Sequence, residues 1–387
     1  MTRAARVFPV CVPVVRALSL ILALLALPLR AAADDPGALL DTTALPPGTL
    51  AEGLQGWRIT YATTIDDATP ATAVATILAP DPLPDGPLPV IAWAHGTTGL
   101  VARCMPSRFP DPTAGIPALT QAIAQGWAIV ATDYAFAEPD GPHPYLIGEG
   151  QARGVLDALR AARAVGDLTL APETVVWGHS QGGHAALWTG IIAPAYAPDL
   201  TLSGVAAIAP AADPAAILAA NPPVDRLLGP YVATAYARFY PDLPFTDIVR
   251  PGAREATRDI AALCAVFPPE ETARLFARAS DIPDGVLALD NPAFAARLAA
   301  NAATGPIAAP LLLAQGGTDI IVPPAVTEGW SAARCAAGQA MTILTFADQD
   351  HAGIVLPGAP LDAPLLAWTA DRIAGLPAPE GCPVTAN

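Results

Sequence analysis

The segment Gly178-His179-Ser180-Gln181-Gly182 sets one of only six serines between two glycines, each two positions away. It follows the apolar run Thr174 to Trp177 and leads into Gln181 to Ile192, a small-residue stretch with helical patterning. A serine hydroxyl is made available for nucleophilic attack when a tight strand-to-helix turn holds it strained and exposed. Such a turn needs residues without side chains on either side of the nucleophile. The helix that follows brings a positive N-terminal dipole, so the Gln181 N–H is the first expected donor to a developing oxyanion.

A serine is a weak nucleophile at neutral pH and needs a base. All 20 basic residues of the chain are arginine, which excludes serine-lysine dyads, Schiff-base chemistry and phosphate-binding lysines. The base is therefore expected among His95, His143, His179, His184 and His351. The chain order that accompanies this kind of turn is serine, acid, histidine, which leaves His184 and His351. His184 lies one turn into the following helix and faces the wrong way. His351 sits in the polar loop Phe346 to Gly353 beyond the last strong strand-like run and is the expected base. Asp319, at the end of Leu311-Leu-Leu-Ala-Gln-Gly-Gly-Thr-Asp319, is the expected acid, while Asp348 and Asp350 read as solvated neighbours of His351. The run Val90-Ile-Ala-Trp-Ala-His-Gly-Thr-Thr-Gly99 ends in a loop that can supply the second oxyanion donor. Thr97 N–H is the first choice there and Gly96 the next, with His95 supporting the loop and taking no part in proton transfer.

Positioning these groups requires a rigid scaffold. Short, largely apolar runs at Pro89 to Ala94, Ala128 to Ala131, Thr174 to Trp177, Leu202 to Ala209, Pro310 to Ala314 and Met341 to Phe346 fit strands of a parallel sheet buried on both faces. Helical patterns lie between them. Glu149 to Val165 carries Val155, Leu156, Leu159 and Ala162 on one face and Arg153, Asp157, Arg160 and Arg163 on the other. Alternation of this kind predicts a doubly wound α/β fold. It stops after Pro210, and the Ala-rich stretch to Pro306 reads as helices inserted between two core strands. The expected organisation is a core of residues 34–212 and 307–387 with a helical cap or lid at 213–306.

Taken together, the residues resemble the α/β-hydrolase superfamily and, within it, the secretory lipase family related to fungal lipase A. The resemblance is carried by His95-Gly-Thr-Thr-Gly99 with Cys104 following, Thr132-Asp-Tyr134 with the Gly141 to Leu146 loop, Arg153 to Arg163, Gly178 to Gly183, Gly317-Thr-Asp319 with Val322-Pro323, and His351. It implies an α/β-hydrolase fold with a mostly parallel central sheet, and hydrolysis of carboxylic esters through Ser180, Asp319 and His351. It also implies a helical cap, no metal and no organic cofactor. Ala135-Phe-Ala-Glu138 departs from the glycines usual after such a tyrosine and is expected to put an aromatic and an acid near the site's mouth. The same machinery could turn over polyesters, or peptides in a secreted peptidase of this fold.

The N-terminus carries Arg3, Arg6 and Arg16, an apolar run from Ala17 to Leu29, and Ala31-Ala-Ala33 before Asp34. That pattern predicts a secretory signal peptide over 1–33. Its removal takes four of the 20 arginines and no acid, leaving 16 against 35 and moving the formal charge from −15 to −19. So acidic a chain disfavours nucleic acid as a partner, because counterion release needs a basic face, and suits a neutral ester or lipid as substrate. Four cysteines, Cys104, Cys264, Cys335 and Cys382, would remain in an oxidising compartment. Two disulfides are expected, with three connectivities possible and Cys104–Cys264 plus Cys335–Cys382 the preferred one.

Overall fold

A computed structural model of the chain describes residues 1–2, 35–46, 48–136 and 143–387, the side chain of Phe136 excepted. Residues 3–33 of the expected leader and its cleavage site lie outside the described residues, as do Ala137, Glu138, Gly141 and Pro142. Ten strands form one sheet: β1 (Leu39–Ala44), β2 (Leu54–Thr64), β3 (Pro70–Pro80), β4 (Leu88–Ala94), β5 (Ala128–Phe136), β6 (Leu170–His179), β7 (Thr201–Ile208), β8 (Leu311–Gly316), β9 (Thr342–Phe346) and β10 (Val384–Ala386). Their order is β1-β2-β3-β5-β4-β6-β7-β8-β9-β10. Strands β1 to β3 are antiparallel to their neighbours, and every pairing from β5 through to β10 is parallel.

The six apolar runs become β4 to β9. They are continuous in sequence because both faces are covered. In β4, Val90, Ala92 and Ala94 point into one buried cluster, while Ile91 and Trp93 point into the other. The helices that cover them are α1 (Leu119–Ala124), α2 (Gly148–Ala162) and α3 (Gln181–Tyr196), followed after the insertion described below by the last two. This is the α/β-hydrolase fold. Strands β1, β2, β3 and β10 go beyond the six apolar runs; β2 and β3 interrupt their apolar residues with Thr.

Those extra strands cover much of the charged face of α2. On that face Arg153 and Asp157 are buried, and Arg160 and Arg163 are half-buried. Asp157 is fully buried and accepts from Thr63 (2.7 Å), Tyr196 (2.8 Å) and Arg160 (3.0 Å), and Arg153 bonds Thr64 (2.9 Å), Glu149 and Asp67. Thr63 and Thr64 belong to β2, and Tyr196 ends α3. The buried charges of Arg153 and Asp157 are tolerable there because each is paired and hydrogen-bonded.

Between β7 and β8 lie α4 (Pro214–Ala220), α5 (Pro222–Phe239), α6 (Phe245–Ile248), α7 (Arg254–Ala261), α8 (Pro269–Ser280) and α9 (Pro292–Ala300). Strands β8, β9 and β10 then complete the sheet, with α10 (Pro324–Ala336) and α11 (Asp362–Ile373) between them. Asp213, Asn221 and Asn291 cap α4, α5 and α9 through their side-chain oxygens, and prolines occupy the first turns of all three. Tyr231, Val232, Tyr236, Ile260, Phe294 and Leu298 form a buried cluster shared with Leu100, Tyr145, Leu146 and Val322 of the core. Residues Ala32–Asn387 form one compact unit, so these helices pack on the sheet and make no separate body.

Candidate active site

Ser180 stands at the junction of β6 and α3 with φ 58° and ψ −117°, a conformation that side-chain-bearing residues rarely adopt. The two motif glycines make that turn possible. A Cβ on Gly178 would come within 2.0 Å of the Gly182 carbonyl oxygen, and one on Gly182 within 1.8 Å of the Ala94 carbonyl oxygen. Hydrogen bonds to its backbone hold the strained residue: Ser180 N–H donates to Ile208 (2.9 Å), and its carbonyl accepts from His184 (3.1 Å) and Ala211 (3.0 Å).

Three side chains from three strand ends meet here. His351 Nε2 lies 2.9 Å from Ser180 Oγ, and His351 Nδ1 lies 2.7 Å from Asp319 Oδ2. Asp319 is buried; its Oδ1 accepts from the N–H groups of Ile321 and Val322, both at 2.8 Å, and Gln315 Nε2 approaches Oδ2 at 3.3 Å. A carboxylate so fixed accepts the Nδ1 proton of His351, which leaves Nε2 bare to accept from the serine hydroxyl. The turn after β8 and the loop after β9 are joined where Gly317 N–H meets Phe346 (2.8 Å) and Thr318 N–H meets Gln349 (3.0 Å). Asp348 and Asp350 are exposed, and Asp350 serves its own loop by accepting from Ala352 and Gly353.

The loop after β4 runs beside the serine. A Cβ on Gly96 would sit 3.6 Å from Ser180 Cβ. Thr97 lines the same cavity, its hydroxyl 2.9 Å from that of Tyr145. Gln181 opens α3, so its N–H has no carbonyl one turn back to bond within the helix. His95 is buried; its Nδ1 donates to the Gly96 carbonyl (2.6 Å), and burial holds its imidazole down to about 4. His184 is buried too, bonded to Gln151 (3.0 Å) and the Asn301 carbonyl (2.7 Å).

Above Ser180 and His351 lies a cavity of about 730 Å³. Its walls are Trp93, Pro106 and Phe109 from the core, and Leu227, Tyr231, Val266, Phe267, Leu275 and Phe276 from the insertion, Val266 and Phe267 lying between α7 and α8. The insertion thus supplies much of the apolar lining, which no local motif announces. Ala135 packs against Ile65 and Ala71; the Phe136 side chain and Glu138, which carry the expectation of an aromatic and an acid near the mouth, lie outside the described residues. The four cysteines pair as Cys104–Cys264 and Cys335–Cys382. The first bond ties the loop after β4 to the connection between α7 and α8. No helix among the described residues is long and apolar enough to cross a membrane.

Comparison with known proteins agrees with this architecture. A family model described as secretory lipase matches residues 114–381. A probable inactive lipase of Mycobacterium tuberculosis is 29% identical over 193 residues, which cover 46% of this chain and 42% of the relative. A trichothecene C-3 esterase of Fusarium sporotrichioides is 27% identical over 188 residues, covering 44% and 41%. The chain spans less than half the length of these curated relatives. Among solved structures, Candida antarctica lipase A in its closed state superimposes with a TM-score of 0.74 at 16% identity, over 90% of this chain and 84% of that one.

Proposed function

The chain belongs to the secretory lipase family, and from that premise we propose that it is a secreted carboxylic-ester hydrolase working through Ser180, His351 and Asp319. The observation that carries the reading is the continuous bonded path from Ser180 Oγ through the His351 ring to Asp319 Oδ2. His351 removes the serine proton as the oxygen attacks the ester carbonyl, and Asp319 steadies the imidazolium. Backbone N–H groups of Thr97 and Gln181 hold the oxyanion, each worth roughly 10²–10³ in rate. The alcohol leaves with the proton from His351, and water activated by the same ring releases the acid from the acyl-enzyme. The inserted helices act as the cap that selects substrate. Their Val266, Phe267 and Phe276 favour an apolar acyl chain over a charged one.

Rates on p-nitrophenyl acyl esters from about two to sixteen carbons, with and without emulsified triglyceride, test the reading. Ester hydrolysis by the wild type, inactivating labelling of Ser180 by a fluorophosphonate, and loss of both in Ser180→Ala are the expected results. Full activity in that variant would overturn the role of Ser180, and a wild type with neither labelling nor activity would place the chain with non-catalytic relatives.

A further inference from the structure

The ring of His179 stands directly beside the catalytic base. Its Nε2 lies 2.8 Å from the backbone carbonyl oxygen of His351, and the two rings are 4.7 Å apart at their centroids. A carbonyl oxygen only accepts, so Nε2 carries the proton and donates. Nδ1 is then the bare nitrogen and faces Gly96, where a Cβ would approach it to 3.3 Å. Burial first, and the neighbouring His351 second, hold the His179 imidazole down to about 3, so it stays a neutral, single-donor ring. The rest of the His351 loop is anchored by other groups: Gly317 and Thr318 hold Phe346 and Gln349, and Asp350 holds Ala352 and Gly353. Among the described residues, His179 provides the hydrogen bond to the carbonyl of His351 itself.

We infer that His179 is a positioning residue, which fixes the base relative to the nucleophile by clamping the His351 backbone from the position adjacent to Ser180. The inference rests on the triad reading. Its physical content is that two adjacent residues set both ends of the Ser180–His351 bond: the strained turn fixes Ser180, and the side chain of His179 fixes His351. Without the clamp, the loop carrying His351 can shift relative to Ser180 Oγ, and a displacement on the order of 1 Å costs roughly 10²-fold in rate.

The test pairs two variants of like length that differ in the donor. His179→Gln places an amide N–H where Nε2 stood; His179→Met fills the space without one. Expected is a kcat for His179→Met that is about 10- to 100-fold lower at nearly unchanged KM, with fluorophosphonate labelling slowed in parallel. His179→Gln should restore most of both. The low-field proton resonance of the His351–Asp319 hydrogen bond should stay sharp in His179→Gln and broaden in His179→Met. Wild-type kcat in His179→Met overturns the inference, and so does equal impairment of the two variants, which would assign the position to packing. If His179→Met does not fold, the inference stands or falls on His179→Gln retaining activity and the resonance. Failure of the triad reading itself is seen separately, as activity in Ser180→Ala.

Discussion

Asp319 spends one carboxylate oxygen on the Ile321 and Val322 N–H groups and presents the other to His351. That division of labour predicts the outcome of Asp319→Asn. The amide oxygen can keep both backbone bonds, which turns the NH₂ toward His351 Nδ1 and forces the imidazole proton onto Nε2, where it blocks removal of the serine proton. The expected result is a fall in kcat of roughly 10⁴-fold with little change in thermal midpoint, checked by p-nitrophenyl ester kinetics and calorimetry. A modest kcat loss would mean that the ring keeps its tautomer without Asp319. Ser180, Asp319 and His351 were legible from residue type, chain order and the run each follows. His179 was not, because it stands before the serine in the chain and is no candidate for the base; its role depends on where the His351 carbonyl lies.

The loop after β4 and the connection between α7 and α8 behave as one unit. Cys104–Cys264 joins them, Arg103 bonds Glu271 through Nε (3.1 Å) and Nη2 (3.0 Å), and Ala265 N–H donates to the Thr98 carbonyl (2.8 Å). The disulfide closes 160 residues of chain. Replacing both cysteines by serine is expected to lower unfolding free energy by about 4 kcal/mol, since a long loop is released in the unfolded state. The same change should lower kcat severalfold, because Thr97 sits in the loop that is loosened. Denaturant titration and ester kinetics on one preparation check both; lost stability with unchanged kcat would show that Thr98–Ala265 suffices to hold the loop. The helices of the insertion were legible from their length and the absence of strand runs. Short α6 and the placement of Val266 and Phe276 over the serine were not, because which face of an inserted helix meets the sheet depends on contacts remote in sequence.

For the molecule as a whole, acid stability follows from its buried histidines. Burial holds His95 and His184 down to about 4; for His143 and His179 burial and a neighbouring histidine hold the ring to about 3. An unfolded histidine titrates near roughly 6.5. Below that pH the unfolded chain binds protons that the native chain refuses, so these residues' contribution is present above about 6.5 and is lost as pH falls toward 4. Asp133, raised to about 6 by burial, opposes this: its contribution is present below its unfolded value and is lost as pH rises through 6. His184→Gln should therefore flatten the fall of thermal midpoint between about pH 6.5 and 4.5, whatever it does to the midpoint at neutral pH. An unchanged slope would show that His184 is not among the groups that titrate on unfolding. The amino-acid sequence by itself determined the features on which the proposed chemistry rests: lysine is absent, one serine stands between glycines at a strand-to-helix turn, and an acid and a histidine follow in order after apolar runs. These are local facts, because a turn and a buried strand each leave a mark within a few residues. Tertiary structure alone decided the antiparallel strands that bury the charged face of α2, the apolar roof over Ser180, and the clamp of His179 on His351, because each joins residues that the chain separates by tens to hundreds of positions and no periodicity records such a meeting.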